Sequence, residues 1–364
     1  MQSVLASYDR LYTLGRDAIY WGLRCFAPKP GDCVWMPSFH CGVEVQAALD
    51  AGFDVDFYRI HRDLSIDEED LERKLVKRPG PTMIIHYFGF AQPGVSRIAD
   101  LCDQQGTALI EDCSHALFSS FGGQPLGNFG HFAAFSLYKT LGLCDGGALS
   151  INRKRWQSTV GTLPAMPPRG RPSPYGYLLQ LRALAKNGLG PRVTRQFLAM
   201  RSRGRTLIND PGAGKKASAN RPRLRGRHDY RGGMSMLSRR LASTMDPAVI
   251  LRRRNDNWRF LHDRLSAFKG YSNLFPVLQE GACPLFLPIR VFRREMLLSR
   301  LSEYNIETFV FGKYAHPRMK EALYPEAGVL REEILCLPMH QYMDELQLAH
   351  LVEVAGPLLE KHAI

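Results

Sequence analysis

The stretch HFAAFSLYKTLGLCDGGALSIN, residues 131–152, decides how this chain is read. HFAAFSLY, residues 131–138, is an apolar run that reads as a buried strand, and GGALSIN, residues 146–152, reads as another. Between them stands Lys139, three residues after Ser136 and shortly before Gly146-Gly147. A lysine at the end of a buried strand is unfavourable unless it reaches water, is paired, or is chemically used.

Outward from that stretch the first half of the chain alternates. CVWMP, DVDFYRI, TMIIHYFGF and TALIEDCSH read as strands. Helical patterns lie between them at 16–27, in GVEVQAALDAG, in EEDLERKLVK and in VSRIADLCDQQG, with Gly52 and Gly106 as stops. Ser65 followed by Glu68 is a capping-box signal. Strands alternating with helices of this length predict an α/β fold: a mostly parallel central sheet with helices on both faces. In such sheets ligands bind at the carboxyl ends of the strands. Asp112, His115, Ser136 and Lys139 all fall at or just past such ends.

The rhythm fails from 153 to 227. That segment holds eighteen Lys and Arg against one acid, Asp210, so it carries +17 of a net +13 and the rest of the chain carries −4. It reads as an atypical basic insertion. LLQLRALAKNGLG and RVTRQFLAMRSR within it read as short basic amphipathic helices, so 165–227 reads either as a solvated loop region or as an anion-seeking surface, for a peripheral membrane contact or for gripping a phosphorylated or nucleotide-linked substrate. The charge is too local, and no recognised motif accompanies it, for a nucleic-acid binder. Order resumes near Asp229. A helix at about 247–267 follows, whose arginine run 252–254 is expected on its solvated face, then PLFLPIRV, a helix at 294–303, ETFVFG, ILCLPMH and a terminal helix. The expected organisation is a large domain, 1–245, and a smaller C-terminal α+β domain, 246–364.

No apolar run reaches the length of a membrane span, and MQSVLASYDRLYTLGRDAIY lacks the plan of a signal peptide. The eight cysteines form no C-x-x-C pair and no zinc spacing, so buried reduced thiols, a cytoplasmic location and no metal are expected.

The chemistry rests on a constellation. Lys139 alone reads either as a lysine reaching solvent or as a nucleophile. Asp112, after ALIE, caps a helix, ligates a metal or pairs with a protonated ring nitrogen. Gly15, just before a helix, can present free N–H groups to a phosphate. Together a lysine, an acid and a phosphate cradle are the parts needed to hold pyridoxal 5'-phosphate. His86 reads as a satisfied strand-end histidine, His340 as structural, and His316 as a candidate for the substrate cleft.

The ordered set GRDAIYWGLRCFAPKPGDCVWMPSFH, IIHYFGF, LIEDCSHAL, FSLYK with GG, YRGGMS and LCLPMHQYMDELQL resembles the DegT–StrS family of sugar aminotransferases. The resemblance spans nearly the whole chain except 153–227. It implies the fold of type I pyridoxal-phosphate transferases and a homodimer. It implies Lys139 as the Schiff-base lysine, Asp112 as partner of the ring nitrogen and His115 beside the phenolic oxygen. It implies phosphate contacts from Gly15, Arg16 and Ser136. Phe39, His40 and Cys41 cover the position of the ring-stacking residue, with His40 preferred. Asp229 stands where the family has an asparagine that reaches the neighbouring subunit; Arg231 and His316 are the expected substrate contacts. The implied reaction moves an amino group from an amino acid, glutamate by analogy, to a keto group of an anionic, nucleotide-linked or lipid-linked sugar. Two rivals are a pyridoxal-phosphate enzyme acting on a non-sugar substrate and a catalytically altered protein with a membrane-surface or regulatory role. The Ser-x-x-Lys spacing is shorter than the family's, and Arg16 and Asp229 depart from its pattern.

Overall fold

The computed structural model describes residues 4–152, 163–164, 166–167 and 228–361. The basic segment, with its two expected helices and its membrane contact, lies otherwise outside the described residues. No helix among the described residues is long and apolar enough to cross a membrane.

Seven strands form the central sheet: β1 (Arg10–Tyr12), β2 (Cys33–Pro37), β3 (Asp54–Tyr58), β4 (Thr82–Ile85), β5 (Leu109–Asp112), β8 (Phe132–Ser136) and β9 (Gly147–Ile151). A small hairpin, β6 (Ser120–Phe121) with β7 (Gln124–Pro125), lies before β8. Across the sheet the order is β1-β9-β8-β5-β4-β2-β3. Strands β3, β2, β4, β5 and β8 are parallel, whereas β9 runs antiparallel to both β8 and β1. Five parallel strands explain why these segments read as continuous apolar runs: β2, β4, β5 and β8 are buried at every position.

The helices of the first half are α1 (Gly15–Arg24), α2 (Val43–Ala51), α3 (Glu68–Lys77), α4 (Val95–Gln104) and the short α5 (Leu137–Leu141). From β2 the chain crosses outward to β3, but from β4 it crosses the other way to β5. Right-handed crossovers therefore put α2 and α4 on opposite faces. The gap between the carboxyl ends of β2 and β4 becomes a switch point, where such sheets bind ligands. α1 lies flat on β8, because Gly22 leaves room for the Phe132 ring that a Cβ would meet at 2.4 Å.

Several elements differ from expectation. The capping residue of α3 is Asp67, which accepts the Asp70 N–H at 2.9 Å, while Ser65 instead bonds to Asp63. β8 stops at Ser136, and the residues carrying Lys139 are helical. β1, the helix Met236–Ser243 and the helix Pro325–Glu333 were not foreseen. In the C-terminal part, β10 (Leu287–Arg290) and β11 (Ile334–Leu337) pair antiparallel. ETFVFG contributes only the bridge from Phe309 to Cys336. Helices Pro247–Leu265, Arg294–Glu303 and Glu345–Lys361 agree with the sequence pattern. The arginine run on the first of them divides: Arg252 and Arg253 are exposed, but Arg254 is buried, against expectation. None of the eight cysteines is in a disulfide.

Candidate active site

One cavity collects residues from separate strand ends. Gly15 and Arg16 come from the start of α1, Cys41 from the loop after β2, Glu44 from the first turn of α2, Asp112 from the end of β5 with Ser114 and His115 just past it, Ser136 from the end of β8 and Lys139 from α5. Ile85 at the end of β4 and Phe311 from the C-terminal part close its apolar side. Seven of the residues singled out in the sequence, Cys41 among them, thus share one space.

Asp112 is the last residue of β5 and is buried. Its Oδ1 accepts the Ser114 N–H at 2.9 Å in an Asx turn, and Oδ2 makes no hydrogen bond among the described residues. Lys139 sits mid-way along α5, half-buried, and its Nζ has no hydrogen bond or ion pair among the described residues. α5 is halted by Gly142 in the left-handed conformation, φ 68°, whose N–H reaches back to Tyr138 O at 3.0 Å. At the start of α1 a Cβ on Gly15 would lie 3.2 Å from Ser114 Oγ and 3.3 Å from Ser136 Cβ. Glycine there keeps open a small recess between the helix N-terminus and two serines.

His115 is buried, and burial together with the nearby Lys139 charge holds its imidazole well below the usual range. Its Nδ1 faces the Phe88 N–H at 3.5 Å. A neutral ring with Nδ1 as acceptor carries its proton on Nε2. Phe88, stacked on His115 at 5.7 Å, adopts φ 57°, a left-handed backbone uncommon for a residue with a Cβ.

Sequence reading missed Ser114 and Glu44, the partner of Cys41. Glu44 is buried in the first turn of α2 and accepts the Cys41 N–H and the Cys41 thiol, both at 2.9 Å. Burial and the neighbouring Asp112 raise its carboxyl above the ordinary range. A glutamate three residues after Cys41 was the available signal, but a glutamate early in a helix ordinarily reads as a solvent-facing cap.

Other expected residues lie outside the cavity lining. His40 is buried with its ring stacked on Phe57 at 5.2 Å, while its neighbour Cys41 is the one that reaches the cavity. Asp229 and Arg231 are exposed and pair with each other, Nε to Oδ1 at 3.0 Å. His316 is buried behind the start of α2, its Cβ near Gly42, and contacts Gln46 Oε1 at 3.3 Å. His86 donates to Glu111 at 3.0 Å and accepts the Gln92 N–H, a satisfied core histidine.

Residues 12–166 match the model of the DegT/DnrJ/EryC1/StrS aminotransferase family. The GDP-perosamine synthase of Vibrio cholerae is 30% identical over 141 residues, 38% of this chain and 38% of that protein. The UDP-4-amino-4,6-dideoxy-N-acetyl-beta-L-altrosamine transaminase of Campylobacter jejuni is 34% identical over 122 residues, 32% of each. The chain thus aligns with about a third of the length of these relatives. In three dimensions the likeness is longer. A DegT DnrJ EryC1 StrS aminotransferase structure from Brucella abortus superposes with a TM-score of 0.64 over 96% of this chain and 85% of that one, at 19% identity. The fold expected from the sequence is the fold observed.

Proposed function

We infer that this chain, whose residues 12–166 match the DegT/DnrJ/EryC1/StrS aminotransferase family model, is a member of that family and a pyridoxal-phosphate-dependent aminotransferase acting on a keto sugar. The observation that carries the reading is one cavity holding Lys139, Asp112 and the N-terminus of α1.

The residues present fit the cofactor. The recess that a Gly15 Cβ would fill, with Ser114 and Ser136 beside it and Arg16 adjoining, suits a phosphate. Asp112, with Oδ2 uncommitted, suits a protonated ring nitrogen. The neutral His115, with its proton on Nε2, suits a phenolic oxygen. Bound there, pyridoxal phosphate supplies an electron sink for the substrate carbon that loses a proton. Lys139 would hold the cofactor through its aldehyde, and its Nζ would carry a proton between substrate atoms. Phe311 and Ile85 exclude water from that transfer. Ring stacking falls to the side of the cavity that Cys41 occupies, in place of the expected His40.

The amino donor in this proposal is glutamate, by family analogy, and the acceptor a keto group on a nucleotide-linked or lipid-linked sugar; the nucleotide-sugar names of the relatives support the nucleotide-linked acceptor. A homodimer, a cytoplasmic location with a membrane-surface contact through 165–227, and the division into 1–245 and 246–364 belong to the same proposal. Asp229 and Arg231 then act, if anywhere, at the subunit contact, since they stand outside this chain's cavity.

The test is direct. Protein reconstituted with pyridoxal phosphate should gain a visible absorption band, and borohydride should fix the cofactor on the peptide bearing Lys139. Glutamate should bleach the band and a nucleotide-linked keto sugar should restore it. A label on another peptide, or no bleaching by any amino acid, overturns the reading.

A further inference from the structure

We propose that Arg254 and Gln341 are positioning residues for Lys139, holding it through the carbonyl end of α5. This rests on the reading of Lys139 given above.

α5 has only five residues, far fewer than the roughly 12 a helix needs to persist unaided. Its backbone must be held from outside if Lys139 is to keep one direction. Its last carbonyls have no partner within the helix, and donors from the C-terminal part of the chain supply them. Thr140 O, next to Lys139, accepts Arg254 Nη2 at 3.1 Å and Gln341 Nε2 at 2.8 Å. Leu141 O accepts the Tyr342 hydroxyl at 3.2 Å.

Arg254 is an unusual donor for this purpose. It is 1% exposed and has no carboxylate partner among the described residues. A buried cation is costly, and a purely structural tie would be made as well by a neutral donor. Its other nitrogen, Nη1, reaches Pro284 O at 3.0 Å and Leu285 O at 3.1 Å, on the stretch that leads to β10. One turn further along the same helix, Asn257 Nδ2 donates to His340 O at 2.9 Å and so fixes the segment that presents Gln341. Three carbonyl groups from two distant segments converge on one guanidinium, with the lysine-bearing helix as one of them. A cation at the carbonyl end of α5 also opposes its dipole. The arrangement makes the direction of Lys139 depend on the docking of the C-terminal part.

The experiment uses the full chain. Arg254→Lys, Arg254→Met and Gln341→Leu are compared with the parent protein. Hydrogen exchange over residues 137–143 is read without cofactor, and borohydride-fixed pyridoxal phosphate on Lys139 is read across cofactor concentration. Losing a hydrogen bond at Thr140 O should speed exchange over 137–143 about tenfold, with other core segments unchanged. It should also raise the cofactor concentration needed for half-labelling by a similar factor, about tenfold. Arg254→Lys, which keeps a donor and the charge, should recover part of both. If Arg254→Met does not fold, Gln341→Leu, which removes one neutral donor, carries the test alone. Unchanged exchange and unchanged labelling in Gln341→Leu overturn the proposal while leaving the function intact. A parent protein labelled away from Lys139 overturns the function, whereas the exchange result still decides whether the clamp exists.

Discussion

Gly147 lies against the backbone of Leu14, so closely that a Cβ on Gly147 would stand 2.0 Å from Leu14 O and 2.7 Å from Gly15 N. Gly147 pairs with Tyr12 on one side and Ser136 on the other. It therefore sets how near the start of α1 comes to the end of β8, and with it the recess at Gly15. Backbone atoms cannot step aside as a flexible side chain would. Gly147→Ala should cost about 3 kcal/mol or more in urea unfolding. A loss within about 0.5 kcal/mol, the range of an ordinary surface change, would show that the contact is not binding.

Glu111, one residue before Asp112, is a buried knot. Its Oε1 accepts the N–H groups of Phe129 and Gly130, and its Oε2 accepts Gly127 N–H and His86 Nε2, at 2.7 to 3.0 Å. The loop 127–130 that it gathers leads directly into β8. Glu111→Gln puts an amide among donors and removes the charge they serve. The expected loss is about 3 kcal/mol, checked by the denaturation midpoint at pH 7.

His40 predicts a pH dependence. Neither ring nitrogen has a hydrogen-bond partner among the described residues, and burial, then Arg331 and His316, hold the ring well below the ordinary 6.5. The unfolded chain thus takes up a proton that the folded chain refuses. Stability is complete above pH 6.5 and is lost as pH falls from there toward the depressed folded value. His115 and His316 shift in the same direction. Unfolding free energy should fall between pH 7 and pH 5, by less in His40→Leu than in the parent. An equal fall in both would remove His40 from the account.

Asp112→Asn should preserve the fold, because the amide oxygen still accepts the Ser114 N–H that Oδ1 accepts now. What it loses is the charge that, in the proposed function, pairs with the cofactor's ring nitrogen. Turnover should drop about 10²–10⁴-fold, measured by steady-state assay with glutamate and a keto sugar, with the thermal midpoint unchanged. Lys139→Ala should lose the borohydride label as well as turnover. An Asp112→Asn protein with full activity would assign the acid a structural role.

Much of the fold was legible because apolar periodicity is local. β2, β4, β5 and β8 are buried along their whole length, and such strands announce themselves as continuous apolar runs. The helix at 294–303 was read to the residue. β1, of three residues, and α5, of five, carry too few positions to show a period; they exist because neighbours supply their hydrogen bonds. The capping residue of α3 is Asp67 although Ser65 had the more familiar spacing, because which oxygen meets the helix end depends on how the loop enters it.

The order and kind of residues along the chain thus determined by themselves that a parallel sheet would form, and that Asp112, His115, Ser136 and Lys139 would stand at its carboxyl edge. Only the tertiary structure decided which residues meet there. Cys41 and Glu44 enter the cavity and His40 turns away from it. Arg254 leaves an expected solvated face to lie under Thr140. The reason is range. Alternation and capping act between residues a few positions apart, whereas the close approach of Gly147 to Leu14 and of Arg254 to Thr140 joins segments more than a hundred residues distant, whose meeting is fixed by tertiary packing and long-range hydrogen bonds.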